Sequence, residues 1–233
     1  MKTLVVLTGA GMSADSGLAT FRDSGGLWEG YDIEDVASLA GWKNDPERVL
    51  DFYNRRRSQA ANAFPNKGHI TLARLEDYFD VQIITQNVDD LHEKAGSGSV
   101  LHLHGKLREA RSTKNPDNVI DIGIREIQIG DKAEDGGQLR PNVVWFGEPV
   151  PNIEPAAQIV SNADILVIIG TSLVVYPAAG LIDYSQQVIP KFIIDPADLG
   201  MSIGSGWTHI KKTAEEGVPE LKKILIEKYL DNE

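Results

Sequence analysis

The chain has 233 residues, 42% of them apolar and 24% charged, the balance of a soluble globular protein with one large domain or one domain carrying a smaller insertion. Its 23 Lys and Arg stand against 34 Asp and Glu, a formal charge of −11, which makes the body a poor non-specific partner for nucleic acid or an anionic membrane face. It has no cysteine, so disulfides, thiolate metal sites and cysteine nucleophiles are excluded.

The first apolar run, Leu4–Leu7, is too short for a signal peptide and leads straight into glycines. No segment approaches the roughly 20 apolar residues of a membrane span, so a cytoplasmic protein without membrane contact is expected. Leu4–Leu7 reads instead as the first of several buried parallel strands, which are continuous Val/Ile/Leu runs rather than alternating ones. The others are Val81–Thr85, Val143–Phe146, Ile165–Ile169 and Phe192–Ile194. Helices are predicted between them. Pro46–Ala63 opens with Asp45 as N-cap and Pro46 in the first turn. His69–Phe79 carries Leu72, Leu75 and Phe79 on one face, and Val88–Ala95, Ala156–Ala163 and Glu215–Leu230 complete the alternation. That alternation predicts an α/β fold, a Rossmann-like doubly wound parallel sheet.

Two stretches break the rhythm. Residues 32–64 are helical with no strand between, and residues 106–140 are polar except for Val119–Ile129, where Ile120, Ile122 and Ile124 alternate as in a strand or hairpin with one wet face. We read both as insertions that build a smaller subdomain within a single domain spanning residues 1–233.

The turn Gly9-Ala10-Gly11-Met12-Ser13 follows the first strand and opens a helix. Such a turn lets the backbone approach a pyrophosphate, although position 14 is Ala, so the GxGxxG fingerprint is not met and a plain strand-to-helix turn reads equally well from this loop alone. The longer run GAGMSADSGLATFRDSGGLW (Gly9–Trp28) resembles the GAGxSxxSGIPxFR signature of the sirtuins, NAD-dependent protein lysine deacylases, with Leu18 and Ala19 in place of Ile and Pro. Four further sirtuin motifs follow in order: Thr85–Asp89 matches TQNxD, His104-Gly105 the catalytic HG, Val143–Glu148 the VVxFGE segment and Gly170–Leu173 the GTSL turn. The resemblance spans nearly the whole chain.

It implies NAD as cofactor and acyl-lysine proteins or peptides as partners. Gly9, Ala10, Gly11, Ser13 and Ala14 would belong to the cofactor loop, with Phe21 shielding the reacting ribose and Arg22 either pairing with the pyrophosphate or steering the loop. Gln86, Asn87 and Asp89 would face ribose and nicotinamide, with helix capping as the bland alternative for the last two. Gly170, Thr171 and Ser172 would meet phosphate or ribose. Asp195 would accept from the adenosine ribose, and Ala214 would form part of the adenine wall. His104 is the implied general base, working with Asn87, because an imidazole with an ordinary pKa near 6.5 suits proton removal at neutral pH. His102, two residues earlier, fits a structural role. The implied products are deacylated lysine, nicotinamide and O-acyl-ADP-ribose.

Val144, Trp145, Phe146 and Gly147 would take the substrate peptide as an added strand. Tyr53 and Arg56 are three apart, so they share a helix face. They resemble the Tyr-x-x-Arg of the desuccinylase/demalonylase branch, and Ala37 matches the small residue that widens the pocket there. The alternative is a core Tyr53 and a solvated Arg56. Most sirtuins also hold a structural zinc through four cysteines. Here those positions correspond to Ser112, Asn115, Lys132 and Asp135, so no zinc is expected, and Ile120, Ile122, Ile124 and Ile127 are expected to hold the subdomain together. A mono-ADP-ribosyltransferase and a non-catalytic NAD-binding module remain the rival readings.

Overall fold

The structure is a computed structural model describing residues 1–19, 27–28 (backbone only), 30–171, 176–197 and 206–230. In chain order the strands are β1 (Thr3–Thr8), β2 (Leu27–Trp28), β3 (Tyr31–Asp32), β4 (Asp80–Thr85), β5 (Val100–His102), β6 (Gly105–Ser112), β7 (Val119–Asp121), β8 (Leu139–Val143), β9 (Ile165–Ile169), β10 (Lys191–Ile194) and β11 (Trp207–Ile210). The helices are α1 (Gly11–Ala14), α2 (Ile33–Val36), α3 (Leu39–Asn44), α4 (Pro46–Asn62), α5 (Lys67–Leu75), α6 (Leu91–Lys94), α7 (Ile153–Ser161) and α8 (Ala214–Tyr229), with a 3₁₀ helix at Ala178–Tyr184.

Six strands form one parallel sheet in the order β11-β10-β9-β1-β4-β5. Leu4–Leu7 is the buried centre, because the central strand is covered on both faces. Leu4 and Val6 pack with Leu72 and Leu75 of α5 and with Val218, Leu221 and Leu225 of α8. Val5 and Leu7 pack on the other face with Ala156 and Val160 of α7. The chain leaves β1 toward β4 and β5 and later returns to β9 on the opposite side. The crevice between the carboxyl ends of β1 and β9 is therefore the topological switch point, where open α/β sheets bind ligands. Helices α5 and α6 meet through His69 and His92, whose rings lie 4.8 Å apart. Burial keeps both neutral, pushing His69 down to about 4 and His92 to about 3.

A second, antiparallel sheet, β7-β6-β8, packs against α4. Val49, Phe52 and Tyr53 of α4 share a core with Val36, Ala37, Leu107, Val143 and Trp145, and Leu50 joins Ala110, Ile127 and Leu139. Helix α4 starts as expected, with the Asp45 carboxylate accepting the Arg48 N–H and Pro46 in the first turn.

Three expectations are corrected. Val143–Phe146 is not a strand of the parallel sheet: Val143 ends antiparallel β8, and Val144–Phe146 continues as a loop joined to Ser38 by a single bridge at Phe146. Only Val119–Asp121 of Val119–Ile129 is strand, because the Asp121 carboxylate accepts the Gly123 N–H and Gly123, at φ +56°, turns the chain. Ile124 consequently points outward at 75% exposure and does not hold the subdomain, while Ile127 is buried and Ile120 and Ile122 pack against its cluster.

The four positions expected to correspond to zinc ligands carry no metal-binding set: Lys132 is a cation and Asn115 a poor ligand. Among the described residues there is no group of three or more His, Asp or Glu side chains suited to a metal. Ser112 and Asp135 instead bond to each other, the hydroxyl reaching both carboxylate oxygens at 2.8 Å. Asp135 also accepts the Gly137 N–H at 2.8 Å, and Ser112 accepts the Lys114 N–H at 3.0 Å. A hydrogen-bonded knot thus joins the end of β6 to the turn at Asp135–Gly137. Millimolar EDTA is therefore expected to leave the thermal midpoint unchanged and Asp135→Ala to lower it; a sharp fall with EDTA in differential scanning fluorimetry would contradict this.

Candidate active site

Three loops converge at the switch point, following β1, β4 and β9. Gly9 N–H donates to the Ile169 carbonyl at 3.0 Å and Gly11 N–H to the Gly170 carbonyl at 2.9 Å. The turns touch backbone to backbone: a Cβ on Gly11 would lie 2.6 Å from Gly170 Cα, and Gly170 itself has φ +59°. Helix α1 is a single turn, so it contributes little dipole. The loop offers a main-chain donor instead, since Ala10 N–H makes no hydrogen bond among the described residues and Ala10 lines the cleft. Gln86, after β4, bridges to the β9 turn through Nε2, which donates to Thr171 Oγ1 at 3.1 Å.

Asn87, Ser13 and Asp89 form a buried polar chain. Asn87 Nδ2 donates to Ser13 Oγ at 3.1 Å, and Ser13 Oγ donates to Asp89 Oδ2 at 3.1 Å. Asp89 Oδ1 accepts the Leu91 N–H at 3.1 Å, so this carboxylate holds the first N–H of α6 and lines the cleft at once. Burial pushes its carboxyl up, opposed by the Leu91 and Ser13 bonds. His104 stands opposite, with Nδ1 3.1 Å from the Gln86 carbonyl. A carbonyl only accepts, so Nδ1 carries the hydrogen and Nε2 keeps its lone pair. Burial holds the imidazole below its ordinary pKa, partly offset by that bond, which favours the neutral base at pH 7.

A cavity of about 190 Å³ runs from these groups into the second sheet. Ala37, Tyr53 and Arg56 line it together with Asn87, Asp89 and His104. Tyr53 and Arg56 are both buried, so Arg56 is not a solvated surface charge. Tyr53 is core as well as cavity wall: its hydroxyl accepts Trp145 Nε1–H at 3.1 Å, and burial raises its phenol well above the usual range. Val144, Trp145, Phe146 and Gly147 line the same cavity, yet three of their N–H groups are already used. Val144 donates to the His104 carbonyl, Phe146 to the Ala37 carbonyl and Trp145 to Glu148 Oε2. The expected strand addition along this segment is therefore limited: of its N–H donors, Gly147 alone makes no bond among the described residues.

Sequence reasoning passed over Glu148, which organises this wall. It accepts from Arg140 Nη1 at 2.7 Å, Arg111 Nη2 at 2.9 Å and Trp145 N–H at 2.8 Å, while Arg140 stacks 3.2 Å above the Trp145 ring. Its place in the FGE triplet was the available signal. Other expected residues lie away from the cavity. Ala14 is exposed on α1, Ala214 is buried at the start of α8, and Asp195 is buried at the end of β10, where it accepts the Ala197 N–H at 2.9 Å. Phe21, Arg22 and Ser172 fall outside the described residues.

A family profile described as the Sir2 family matches residues 9–177. The chain belongs to the Sir2 family. It is 52% identical over 231 residues to an NAD-dependent protein deacylase of Bacteroides thetaiotaomicron, covering 97% of this chain and 99% of that one. A Helicobacter pylori NAD-dependent protein deacylase is 50% identical over 227 residues, covering 97% of each. Among solved structures, a Sir2 homolog–NAD complex superposes with TM-score 0.84 at 39% identity, over 96% of this chain and 91% of that one. A Sir2 complex with a deacetylated p53 peptide and 3′-O-acetyl-ADP-ribose gives 0.78 at 27% identity, over 99% and 94%.

The buried setting of His104 predicts a titration midpoint below its ordinary value of about 6.5, so its ring is neutral at pH 7 and charges only on acidification. An NMR titration of the imidazole signals, assigned by comparison with His104→Gln, checks this. A midpoint above that value would contradict it.

Proposed function

We propose that this chain, an NAD-dependent protein deacylase of the Sir2 family, prefers lysines carrying succinyl or malonyl groups to acetyl-lysine. The observation that carries the preference is that Tyr53 and Arg56 line the cavity that also holds His104, Asn87 and Asp89. A cavity for acetyl alone needs no cation in its wall. The guanidinium of Arg56 can hold a distal carboxylate bidentately. Tyr53 accepts from Trp145, which leaves its own O–H to donate to the same carboxylate, and the raised phenol pKa keeps that hydrogen in place. Ala37, with its single methyl, leaves room for the longer chain.

NAD, when bound, supplies the ribose carbon whose bond to nicotinamide breaks. The switch-point loops with Gly9, Ala10, Gly11, Gly170 and Thr171 would hold its phosphates and ribose, and Ala10 N–H is a donor still available for them. Asp195 and Ala214 would serve the adenosine end. The Asn87 side chain gives its N–H to Ser13 and retains Oδ1 for a ribose hydroxyl or an ordered water. Asp89 would hold the nicotinamide carboxamide through the oxygens that Ser13 and Leu91 orient. His104, neutral with Nε2 free of its hydrogen, would take a proton from a ribose hydroxyl. The acylated peptide would lie along Val144–Gly147, using carbonyls and the Gly147 N–H.

Kinetics with matched peptides test the preference. A charge-assisted contact of ~1.5–3 kcal/mol corresponds to roughly 10- to 150-fold in kcat/KM. Arg56→Met should lose about that factor toward succinyl-lysine while changing deacetylation only a few-fold. Equal losses on both peptides, or equal wild-type rates, would contradict the acidic-acyl preference.

A further inference from the structure

The segment that delivers His104 carries another histidine with an unusual set of partners. His102, at the end of β5, is 4% exposed. Its Nδ1 lies 3.0 Å from the Asn87 carbonyl and its Nε2 lies 2.9 Å from Glu93 Oε1. Both partners only accept, so the two bonds form together only when each ring nitrogen presents a hydrogen. Glu93 also accepts from Lys106 Nζ at 3.1 Å. Burial alone would raise its carboxyl, but the bonds from His102 and Lys106 hold it down at about 2. The main chain of His102 is fixed as well, because Asn152 Nδ2 donates to its carbonyl at 2.8 Å. The charged and titratable groups facing the ring are Glu93 and His92 on α6, Asp89 in the preceding loop and Lys106 on β6.

The target of this clamp is the residue next to the chemistry. The Asn87 peptide is held at both ends: Thr85 Oγ1 accepts its N–H at 3.0 Å, and His102 donates to its carbonyl. The Asn87 side chain then starts the chain through Ser13 to Asp89. His104 grips the neighbouring carbonyl, that of Gln86, in the same way. Two histidines on one segment thus hold consecutive carbonyls of one loop, and only His104 lines the cavity.

We propose that His102 is a positioning residue: anchored by Glu93 and Lys106, its ring fixes the Asn87 carbonyl and so aims Asn87, Ser13 and Asp89 at the ribose and nicotinamide. This rests on the roles of Asn87 and Asp89 proposed above. A residue that only stabilises the core would change the melting temperature and leave turnover of the folded fraction intact. A positioning residue changes turnover in the folded enzyme.

The test uses the full chain and follows nicotinamide release at saturating NAD and succinyl-peptide, the KM for peptide, and the melting temperature. His102→Ala should lower kcat by roughly 10- to 100-fold with peptide KM nearly unchanged, the scale expected when a reacting group is misplaced by about 1 Å. His102→Gln, which can return a donor to Asn87, should recover to within about five-fold of wild type. Leu221→Ala, on the buried face of α8, is the stability control and should lower the melting temperature without lowering kcat. If His102→Ala does not fold, Glu93→Gln and Glu93→Ala carry the test. The Gln variant, which keeps an acceptor for Nε2, should then retain more kcat than the Ala variant at similar melting temperature. Wild-type release with an unchanged rate in folded His102→Ala, or with equal rates in the two Glu93 variants, would overturn this inference alone. No release by wild type would overturn it together with the functional reading.

Discussion

Gly11 and Gly170 meet backbone to backbone at the carboxyl ends of two neighbouring strands, and the site depends on that contact. Any side chain at either position would collide with the other turn at 2.6 Å or less. Separating the turns would stretch the Gly9–Ile169 and Gly11–Gly170 hydrogen bonds and move Thr171 away from Gln86. Gln86 leads directly into Asn87 and Asp89, and its carbonyl holds the His104 ring. The closeness of β1 and β9 is therefore transmitted through one bridging residue to Asn87, Asp89 and His104. The parallel register of β1 between β4 and β9 supports this arrangement, because it sets all three strand ends at one level.

The second constraint is electrostatic. The chain is strongly acidic as a whole, yet the cavity wall is built around arginines. Arg140 and Arg111 are compensated by Glu148, which also ties down the Trp145 N–H, so these charges shape the wall. Arg56 is buried in the same wall beside Tyr53. Asp89, which lines the same cavity, is a buried carboxyl that accepts from two neutral donors, the Ser13 hydroxyl and the Leu91 N–H. The cavity lining thus carries opposite charge types, a cation at Arg56 and an acid at Asp89.

Much of this was legible in the sequence. The buried strands β1, β4, β9 and β10 announce themselves as continuous apolar runs, and three of the five motifs fall at the ends of β1, β4 and β9. The edge strands β5 and β11 escaped because they are short and carry His102, Trp207, Thr208 and His209, which break the run. Val143–Phe146 was misread because an apolar run says nothing of its partner: Val143 closes an antiparallel strand, and Trp145 is apolar for the sake of the second core. The alternation at Ile120 and Ile122 stopped short of Ile124 because Gly123 turns the backbone between them. The Trp145–Tyr53 hydrogen bond, the Glu148 cluster and the His102–Asn87 contact join residues up to 92 positions apart, and no local pattern encodes such pairs. The absence of thiolates was plain in the sequence, but the hydroxyl–carboxylate bond between Ser112 and Asp135 was not.

Product accounting by mass spectrometry tests the central claim most directly. The protein is incubated with NAD and a succinyl-lysine peptide, and all products are weighed. The account predicts equal amounts of free nicotinamide, deacylated peptide and O-succinyl-ADP-ribose, with no mass added to the protein or peptide. ADP-ribose retained on protein or peptide, with the succinyl group still in place, would contradict it.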